Sequence, residues 1–122
     1  MTITTIGLED VRDNTKTRIV ATHLHGAVGD DSTTPTIGDT TLGNETFRSA
    51  VDSTDDSVSN QVTLSLIIGS SENNGNDIKE HGWLDAAAGG NLAIRVTLTT
   101  ITKTSDIQLF LDTTYTISVS ES

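Results

Sequence analysis

Regular alternation of apolar and polar residues dominates the second half of the chain and predicts β-strands. In segment 57–70, aliphatic residues occupy every second position: Val62, Leu64, Leu66 and Ile68. Segment 92–98 alternates in the same way. One face of segment 107–119 collects Ile107, Leu109, Leu111, Thr113, Tyr115, Ile117 and Val119. A period of two residues is typical of strands that bury one face.

Weaker patterns predict the remaining elements. Segment 5–15 is the one plausible helix, because Thr5 can cap it and Leu8 and Val11 fall on one face. The other predicted segments are a strand at 17–25, a long polar loop at 26–44, a hairpin of 45–53 with 57–70, and a strand at 77–86. A loop as long as 26–44 tends to be functional or to be ordered by a partner.

Turn residues separate these strands at short intervals. Asn74-Gly75 and Gly89-Gly90-Asn91 are strong turn signals. The alternation changes parity at Thr100-Ile101, which predicts a bulge or a bend. Since no helical pattern connects the strands, we predict an antiparallel β-sandwich of about six to eight strands with one short N-terminal helix, in a single domain spanning residues 1–122.

Composition narrows the classes of partner. The chain has 17 acidic and 7 basic residues, a net charge of -10, and no cysteine. Disulfides and thiol chemistry are therefore excluded, and nucleic acid or anionic membranes are disfavoured as partners. An Asp-rich, Lys-poor surface is typical of proteins that work in high salt, where ions screen repulsion between like charges. The N-terminal segment has no long apolar run, so we expect neither a signal peptide nor an anchor, and synthesis in the cytoplasm.

Three histidines are weak candidates for a metal site. His23 and His25 fall two residues apart in the predicted strand 17–25, which would place both rings on one face. His81 can supply a third ligand if its strand lies nearby. The alternative is that all three are ordinary polar residues of strands.

Clusters of aspartate are weak candidates for a calcium site. Asp30 and Asp31, with Asp39, fall in the predicted loop, and a second group surrounds the predicted turn: Asp52, Asp55 and Asp56. Calcium takes six to eight oxygen ligands, and such loops can offer them. Neither group matches an EF-hand loop, so the alternative is a solvated acidic surface.

Catalytic motifs are missing from the sequence. It has no GxSxG nucleophile elbow and no Gly-rich phosphate loop followed by Lys and Ser or Thr. Ser and Asp are so frequent that their presence with His carries no information. We therefore predict no catalytic residue and no enzymatic activity.

Trp83 and two arginines are the other conspicuous side chains. The lone Trp83 can stack on a sugar ring, although packing in the core or at an interface is the more common role. Arg48 and Arg95 lie in strand-like runs of a very acidic protein. We expect them to form structural ion pairs with acids such as Glu45 and Glu80.

Two large apolar residues fall on the polar side of their strands. Ile67 interrupts the polar face of segment 57–70, and Phe110 does the same in segment 107–119. Another sheet or subunit must cover such residues if they are to leave water. We therefore place Ile67 and Phe110, together with Trp83, at a contact between subunits.

Several motifs occur together in a characteristic order. A short helix leads into a strand ending in Thr22-His23, a glycine-containing loop follows, and then DTTLGNETFR at 39–48. Asn74-Gly75, IKEHGWLDAAAGGNLAIRV at 78–96 and Lys103-Thr104 complete the set. Each motif is weak by itself, but their order and spacing resemble a group of small structural proteins of tailed viruses of bacteria and archaea. With its acidic composition, the chain is most similar to haloarchaeal members.

The resemblance implies a virion component that works by assembling. Such proteins form capsid decorations, turrets, or tail and fibre parts, usually as symmetric homo-oligomers that contact other virion proteins or a glycan or glycoprotein of the host surface. One departure is that many relatives have a GTG-type loop after the first strand, where this chain reads HGAVGDD at 25–31. The alternative function is a carbohydrate- or metal-binding surface module.

Overall fold

Two antiparallel sheets pack face to face, as the alternating pattern predicts. The computed structural model describes residues 2–120, which form one helix and seven strands. In chain order these are α1 (Thr5–Thr22), β1 (His25–Gly29), β2 (Glu45–Ala50), β3 (Ser53–Asp55), β4 (Gln61–Ile68), β5 (Asp77–Leu84), β6 (Leu92–Thr102) and β7 (Leu109–Thr116). The predicted β-sandwich with an N-terminal helix is confirmed.

The strands divide into a sheet of four and a sheet of three. Sheet A has the order β2-β1-β5-β6, and sheet B has the order β3-β4-β7. Every pair of neighbouring strands is antiparallel. Only Val51 and Asp52 separate β2 from β3, so these two edges lie on the same side of the sandwich. The edges formed by β6 and β7 therefore lie together on the opposite side.

The main core lies between the two sheets. Strand β4 buries every second residue, as predicted, and the alternation of β5 aims Trp83 at the same space. The buried apolar residues of this core are Ile19, Val28, Val62, Leu64, Leu66, Ile68, Ile78 and Trp83. Because α1 supplies Ile19, the helix is part of the core and not an appendage.

The helix is longer than the predicted segment 5–15. It runs from Thr5 to Thr22, so the first six residues of the predicted strand 17–25 are helical. Its N-cap is Thr4 and not Thr5, since the Thr4 hydroxyl accepts a hydrogen bond from the Gly7 N–H at 3.2 Å.

Tertiary contacts explain this extension. The Lys16 ammonium donates to the carbonyl oxygens of Asp56 at 2.7 Å and Val58 at 2.9 Å, and Ile19 packs into the core. The predicted apolar face is also wrong, because Val11 is 49% exposed. Local propensity ends the helix at the poor helix formers near residue 14, but packing outweighs that preference.

The predicted hairpin of 45–53 with 57–70 is wrong in its first arm, whereas the turn after Asp55 is present. Strand β2 pairs with β1 in sheet A, whereas β3 pairs with β4 in sheet B. The chain crosses between sheets at Val51, which packs against the main core. A strand that changes sheets looks continuous in sequence, because both halves alternate in the same way.

The bulge predicted near Thr100-Ile101 is present. Opposite β5, the register shifts between the pairs Ile78–Ile101 and Glu80–Thr97. The last strand is shorter than the predicted 107–119, ending at Thr116. No helix within residues 2–120 has the length and apolarity needed to cross a bilayer.

Candidate functional site

The long loop after β1 is not a free surface loop. Residues 26–29, predicted to belong to it, form most of β1, and residues 30–44 lie against the outer face of sheet A. Leu42, only 4% exposed, packs with Ala27 and Leu84 in a second small core. An added Cβ at Gly82 would lie 2.6 Å from the Ile94 carbonyl oxygen and 2.9 Å from Leu42. The absence of a side chain at Gly82 thus lets the loop approach the sheet.

A buried carboxylate holds this loop in place. Glu80 is fully buried on the outer face of β5, and its oxygens accept four hydrogen bonds. Oε1 accepts from the Gly43 N–H at 2.7 Å and from Arg95 Nε at 2.9 Å. Oε2 accepts from the N–H groups of Asn44 at 2.8 Å and Asp31 at 3.0 Å. A buried charge is tolerable only when it is paired and hydrogen-bonded in this way.

Arg95 extends the network to the middle of the loop. Its side chain is 5% exposed, and Nη1 lies 3.1 Å from Asp39 Oδ2. The hydrogen bond to Glu80, followed by that to Asp39, raises the pKa of Arg95 above its ordinary value. Hydrogen bonds from Thr36, and then the contact with Arg95, lower the pKa of Asp39. Together with Glu80, these groups form the loop clamp (Glu80, Arg95, Asp39 and the backbone of 31–44).

A second set of contacts holds the turn after β5. Arg48 on β2 makes a two-point ion pair with Glu45, at 2.6 Å and 3.0 Å. Arg48 Nη1 also donates to the carbonyl oxygens of Ala86 and Gly89, each at 2.9 Å. The expected pairing of Arg48 with Glu45 and of Arg95 with Glu80 is thus present. We name this group the turn clamp (Arg48, Glu45 and residues 86–89).

A third contact joins the loop before β5 to the end of β6. Lys103 is fully buried, and its ammonium donates to Asn74 Oδ1 at 2.8 Å and to the Thr104 carbonyl at 2.9 Å. Its backbone N–H donates to the Asn76 carbonyl at 3.0 Å, and its carbonyl accepts from the Gly75 N–H at 2.9 Å. Lys103-Thr104 is visible in the sequence as a motif, but no local pattern predicts that the lysine is buried.

The motifs that carry the resemblance are partners of one another in space. The loop clamp and the turn clamp each join segment 39–48 to segment 78–96. Lys103 joins the Lys-Thr pair to Asn74-Gly75. Motifs that are far apart in the chain therefore form the polar contacts that close the tertiary structure.

Trp83 does not lie on the surface. Its side chain is fully buried between the sheets, and its Nε1 donates to the Thr113 hydroxyl at 2.9 Å. The His81 ring meets it edge to face at 5.4 Å. The prediction that Trp83 contributes to an interface is therefore wrong, and the ring is not available to stack on a sugar. Packing in the core accounts for its position.

The three histidines do not share one face. His23 is the C-cap of α1, not a strand residue, and His25 is the first residue of β1. His81 is buried on β5. Within residues 2–120, no group of three or more His, Cys, Asp or Glu side chains is placed to hold a metal ion.

Five of the six candidate calcium ligands accept hydrogen bonds from protein groups within residues 2–120, Asp56 being the exception. Asp30 accepts from the Asn44 amide at 2.5 Å, and Asp31 accepts from the Thr33 N–H at 2.7 Å. The Asp52 carboxylate accepts from the Ile67 N–H at 2.6 Å, and Asp55 binds Ser57. These contacts close local turns and fix strand ends.

His81 makes stability depend on pH. Burial lowers the pKa of His81, against the opposing effect of its hydrogen bond to the Ala27 carbonyl at 2.8 Å. The unfolded chain therefore binds the proton at a higher pH than the folded protein, and stability falls as the pH drops below about 6.5. Burial also lowers the pKa of His23, although the nearby Asp85 carboxylate opposes this shift. Because the net shift is downward, His23 adds to the loss of stability at low pH.

We expect the loss of unfolding free energy between about pH 7.5 and about pH 5.5 to be smaller in a His81→Asn variant, because asparagine does not titrate. Urea denaturation of wild type and variant at both pH values measures these free energies. Asparagine keeps an N–H donor for Ala27, so the comparison isolates the proton. An unchanged pH dependence would show that His81 does not contribute.

The outer face of sheet B carries an apolar patch. Ile67 on β4 lies directly opposite Phe110 on β7. Phe110 is 64% exposed, and the rest of this face is small and polar, including Thr63, Thr114 and Asp112. Ile67 and Phe110, both predicted for a subunit contact, are therefore brought together; we call them the sheet B patch.

Comparison of the chain with protein-family models and with curated proteins finds no match to either.

Proposed function

We propose that this chain is a non-enzymatic structural subunit of a tailed-virus particle, a capsid decoration or turret, or a tail or fibre part, that assembles as a symmetric oligomer. The sheet B patch is the observation that carries the assembly role. A large aromatic side chain that is 64% exposed and lies beside Ile67, on a face whose other residues are small and polar, marks a contact surface. The viral assignment itself rests on the resemblance of the motifs.

The arrangement of the buried charges supports a structural role. Glu80 and Arg95 bind the backbone of the loop and each other. Their charges therefore hold the loop in one conformation on the surface of sheet A. Lys103 and Arg48 likewise bind backbone oxygens across connections between strands. A subunit that acts by shape needs loops held rigidly before its partner arrives, since ordering them on binding would cost affinity.

The acidic surface supports a high-salt setting for this assembly. A net charge of -10 opposes the approach of identical subunits at low ionic strength. Molar salt shortens the screening length to about 3 Å and removes most of that repulsion. Other virion proteins are the expected partners, with a host-surface glycan or glycoprotein as a further one.

Replacing Phe110 with serine is expected to weaken self-association by about 30-fold, because truncating a central aromatic anchor costs about 2 kcal/mol or more. Light scattering coupled to size exclusion, run over a concentration series in molar salt, measures it. Val58→Ser is the matched control, since Val58 is 49% exposed on a different surface.

Particle binding tests the viral part of the proposal. Purified protein is mixed with virus particles that lack it and then sedimented. Co-sedimentation of wild type, but less of Phe110→Ser, is the expected result. A protein that stays monomeric at high concentration and does not bind particles would refute the proposed function.

A further inference from the structure

The free edge of β7 is the most regular unpaired strand edge within residues 2–120. Strand β7 pairs with β4 through eight consecutive residue pairs without a register shift, and nothing in sheet B pairs with its other side. The other sheet edges differ: β3 has three residues, and the ladders of β2 and β6 contain register shifts. Proteins protect edge strands by shortness, bulges, charged side chains or proline, and of these features β7 has only the single charge of Asp112.

Backbone geometry shows which groups of β7 are free. The Ile117 N–H donates to the Asn60 carbonyl at 2.8 Å, the residue opposite it in the β4–β7 register. In an antiparallel pair, every second residue exchanges both hydrogen bonds with the same neighbour, so the odd-numbered residues of β7 bond to β4. The free N–H and C=O groups belong to the even-numbered residues, Phe110, Asp112, Thr114 and Thr116.

The rim formed by β6 and β7 suits an identical, acidic partner. The two strands contain one anion, Asp112, and one cation, Arg95, which is buried and paired with Glu80 and Asp39, so the rim carries little of the chain's net charge of -10. Sheet B does not fully cover this rim. Val96 on β6 pairs with the buried His81 and lies on the inner face of sheet A, yet its side chain is 40% exposed. A second copy therefore meets little repulsion here and finds apolar surface to cover.

We propose that β7 pairs antiparallel with β7 of a second copy, about a two-fold axis at Thr113; this rests on the proposed function and specifies its subunit contact. In this register Phe110 faces Thr116 of the second copy, and Asp112 faces Thr114. An aromatic residue opposite a β-branched one is a favourable cross-strand pair.

Neighbouring registers are less favourable. An axis at residue 112 places Asp112 opposite its own copy, and like charges directly opposite each other destabilise a sheet. If the register shifts by one residue, the inner-facing side chains of one copy lie opposite outer-facing side chains of the other. The apolar face of one copy would then be exposed to solvent. With the axis at Thr113, inner-facing Leu111 lies opposite Tyr115, and both copies of Phe110 lie on one outer face.

Proline at position 114 tests the pairing. Because the Thr114 N–H points to the free edge, Thr114→Pro removes a donor needed by the second copy but none used by β4. We expect dimerisation to weaken at least about tenfold, since two symmetric hydrogen bonds are lost. Thr114→Ala, which keeps the N–H, should dimerise like wild type. Near-ultraviolet circular dichroism of Trp83 confirms that each variant folds.

Cysteine cross-linking tests the register. The chain has no cysteine, so a disulfide in Thr113→Cys can form only between two copies. Residues facing each other in a non-hydrogen-bonded pair lie about 4.5 Å apart between Cα atoms, within the range of disulfides. Rapid formation of a covalent dimer is expected, with Val58→Cys as the control that remains largely uncross-linked.

The outcomes separate the pairing from the proposed function. Oligomers or particle binding that are insensitive to Thr114→Pro, without a Thr113→Cys dimer, would overturn β7 pairing and leave the virion role in place. Particle binding lost in Thr114→Pro while the protein alone stays monomeric would replace the second copy with a strand of another virion protein. Failure to bind particles, with an intact Thr113→Cys dimer, would support the pairing and count against the virion role.

Discussion

Replacing Glu80 with alanine is expected to lower the free energy of unfolding by about 3–5 kcal/mol, the cost of removing one partner of a buried ion pair. The variant leaves the Arg95 guanidinium buried with Asp39 as its remaining carboxylate partner. It also leaves the N–H groups of Gly43 and Asn44 without acceptors. For a domain whose total stability is typically about 5–15 kcal/mol, such a loss is large.

Glu45→Ala is the matched control for Glu80→Ala. Glu45 also pairs with an arginine, but its side chain is 33% exposed, and the Arg48 guanidinium that remains keeps its hydrogen bonds to the carbonyl oxygens of Ala86 and Gly89. We expect a loss of about 1 kcal/mol or less, typical of surface ion pairs. Denaturant unfolding of both variants measures the difference. Equal losses in the two variants would show that the loop clamp is not a major source of stability.

Hydrogen exchange locates the effect of Glu80→Ala in the chain. The amides of Asp31, Gly43 and Asn44 donate to the Glu80 carboxylate and should be protected in wild type. In the variant they should exchange faster than amides of β4, because the loop opens without global unfolding. Molar salt should change this little, since buried pairs are weakly screened.

Replacing Trp83 with alanine is expected to cost about 3–5 kcal/mol, the range for removing a large aromatic side chain from a core. The side chain is fully buried and contacts both sheets, and its loss leaves a cavity beneath Gly26 and Leu66. Thermal and denaturant unfolding, followed by far-ultraviolet circular dichroism, measure the change.

Trp83→Phe separates packing from the polar contact of the indole. Phenylalanine fills much of the same volume but cannot donate to the Thr113 hydroxyl, so we expect a loss of roughly 1–2 kcal/mol. If Trp83→Ala instead kept full stability and lost only the binding of a glycan, the ring would be a ligand platform, contrary to its burial.

Local patterns in the sequence were sufficient for much of the fold. The alternation from Val62 to Ile68 predicts which face of the strand is buried. The prediction does not depend on which element covers that face. The ion pairs of Arg48 and Arg95 were predictable for a related reason, because cations inside strands of an acidic chain need nearby acids. Trp83, predicted for core or interface packing, lies in the core since the strand parity of β5 aims it inward.

Other features depended on contacts between distant residues. Local signals predict that α1 ends near residue 14. The helix continues because Lys16 donates hydrogen bonds to carbonyl groups about 40 residues away and Ile19 packs into the core between the sheets. The segment before β3 changes sheets at Val51, although its local pattern matches a continuous hairpin arm. Neither outcome is visible to a pattern that compares only neighbouring residues.

The amino-acid pattern alone determines which face of each strand is buried, where turns occur and what net charge the chain carries. These features depend on each residue and its close neighbours. Folding in three dimensions determines the rest. It buries Lys103 and Glu80 with their acceptors and donors, presses residues 30–44 onto sheet A, and leaves the sheet B patch and the edge of β7 uncovered. A buried charge is stable only where several distant backbone groups converge on it, and that convergence is a property of the fold.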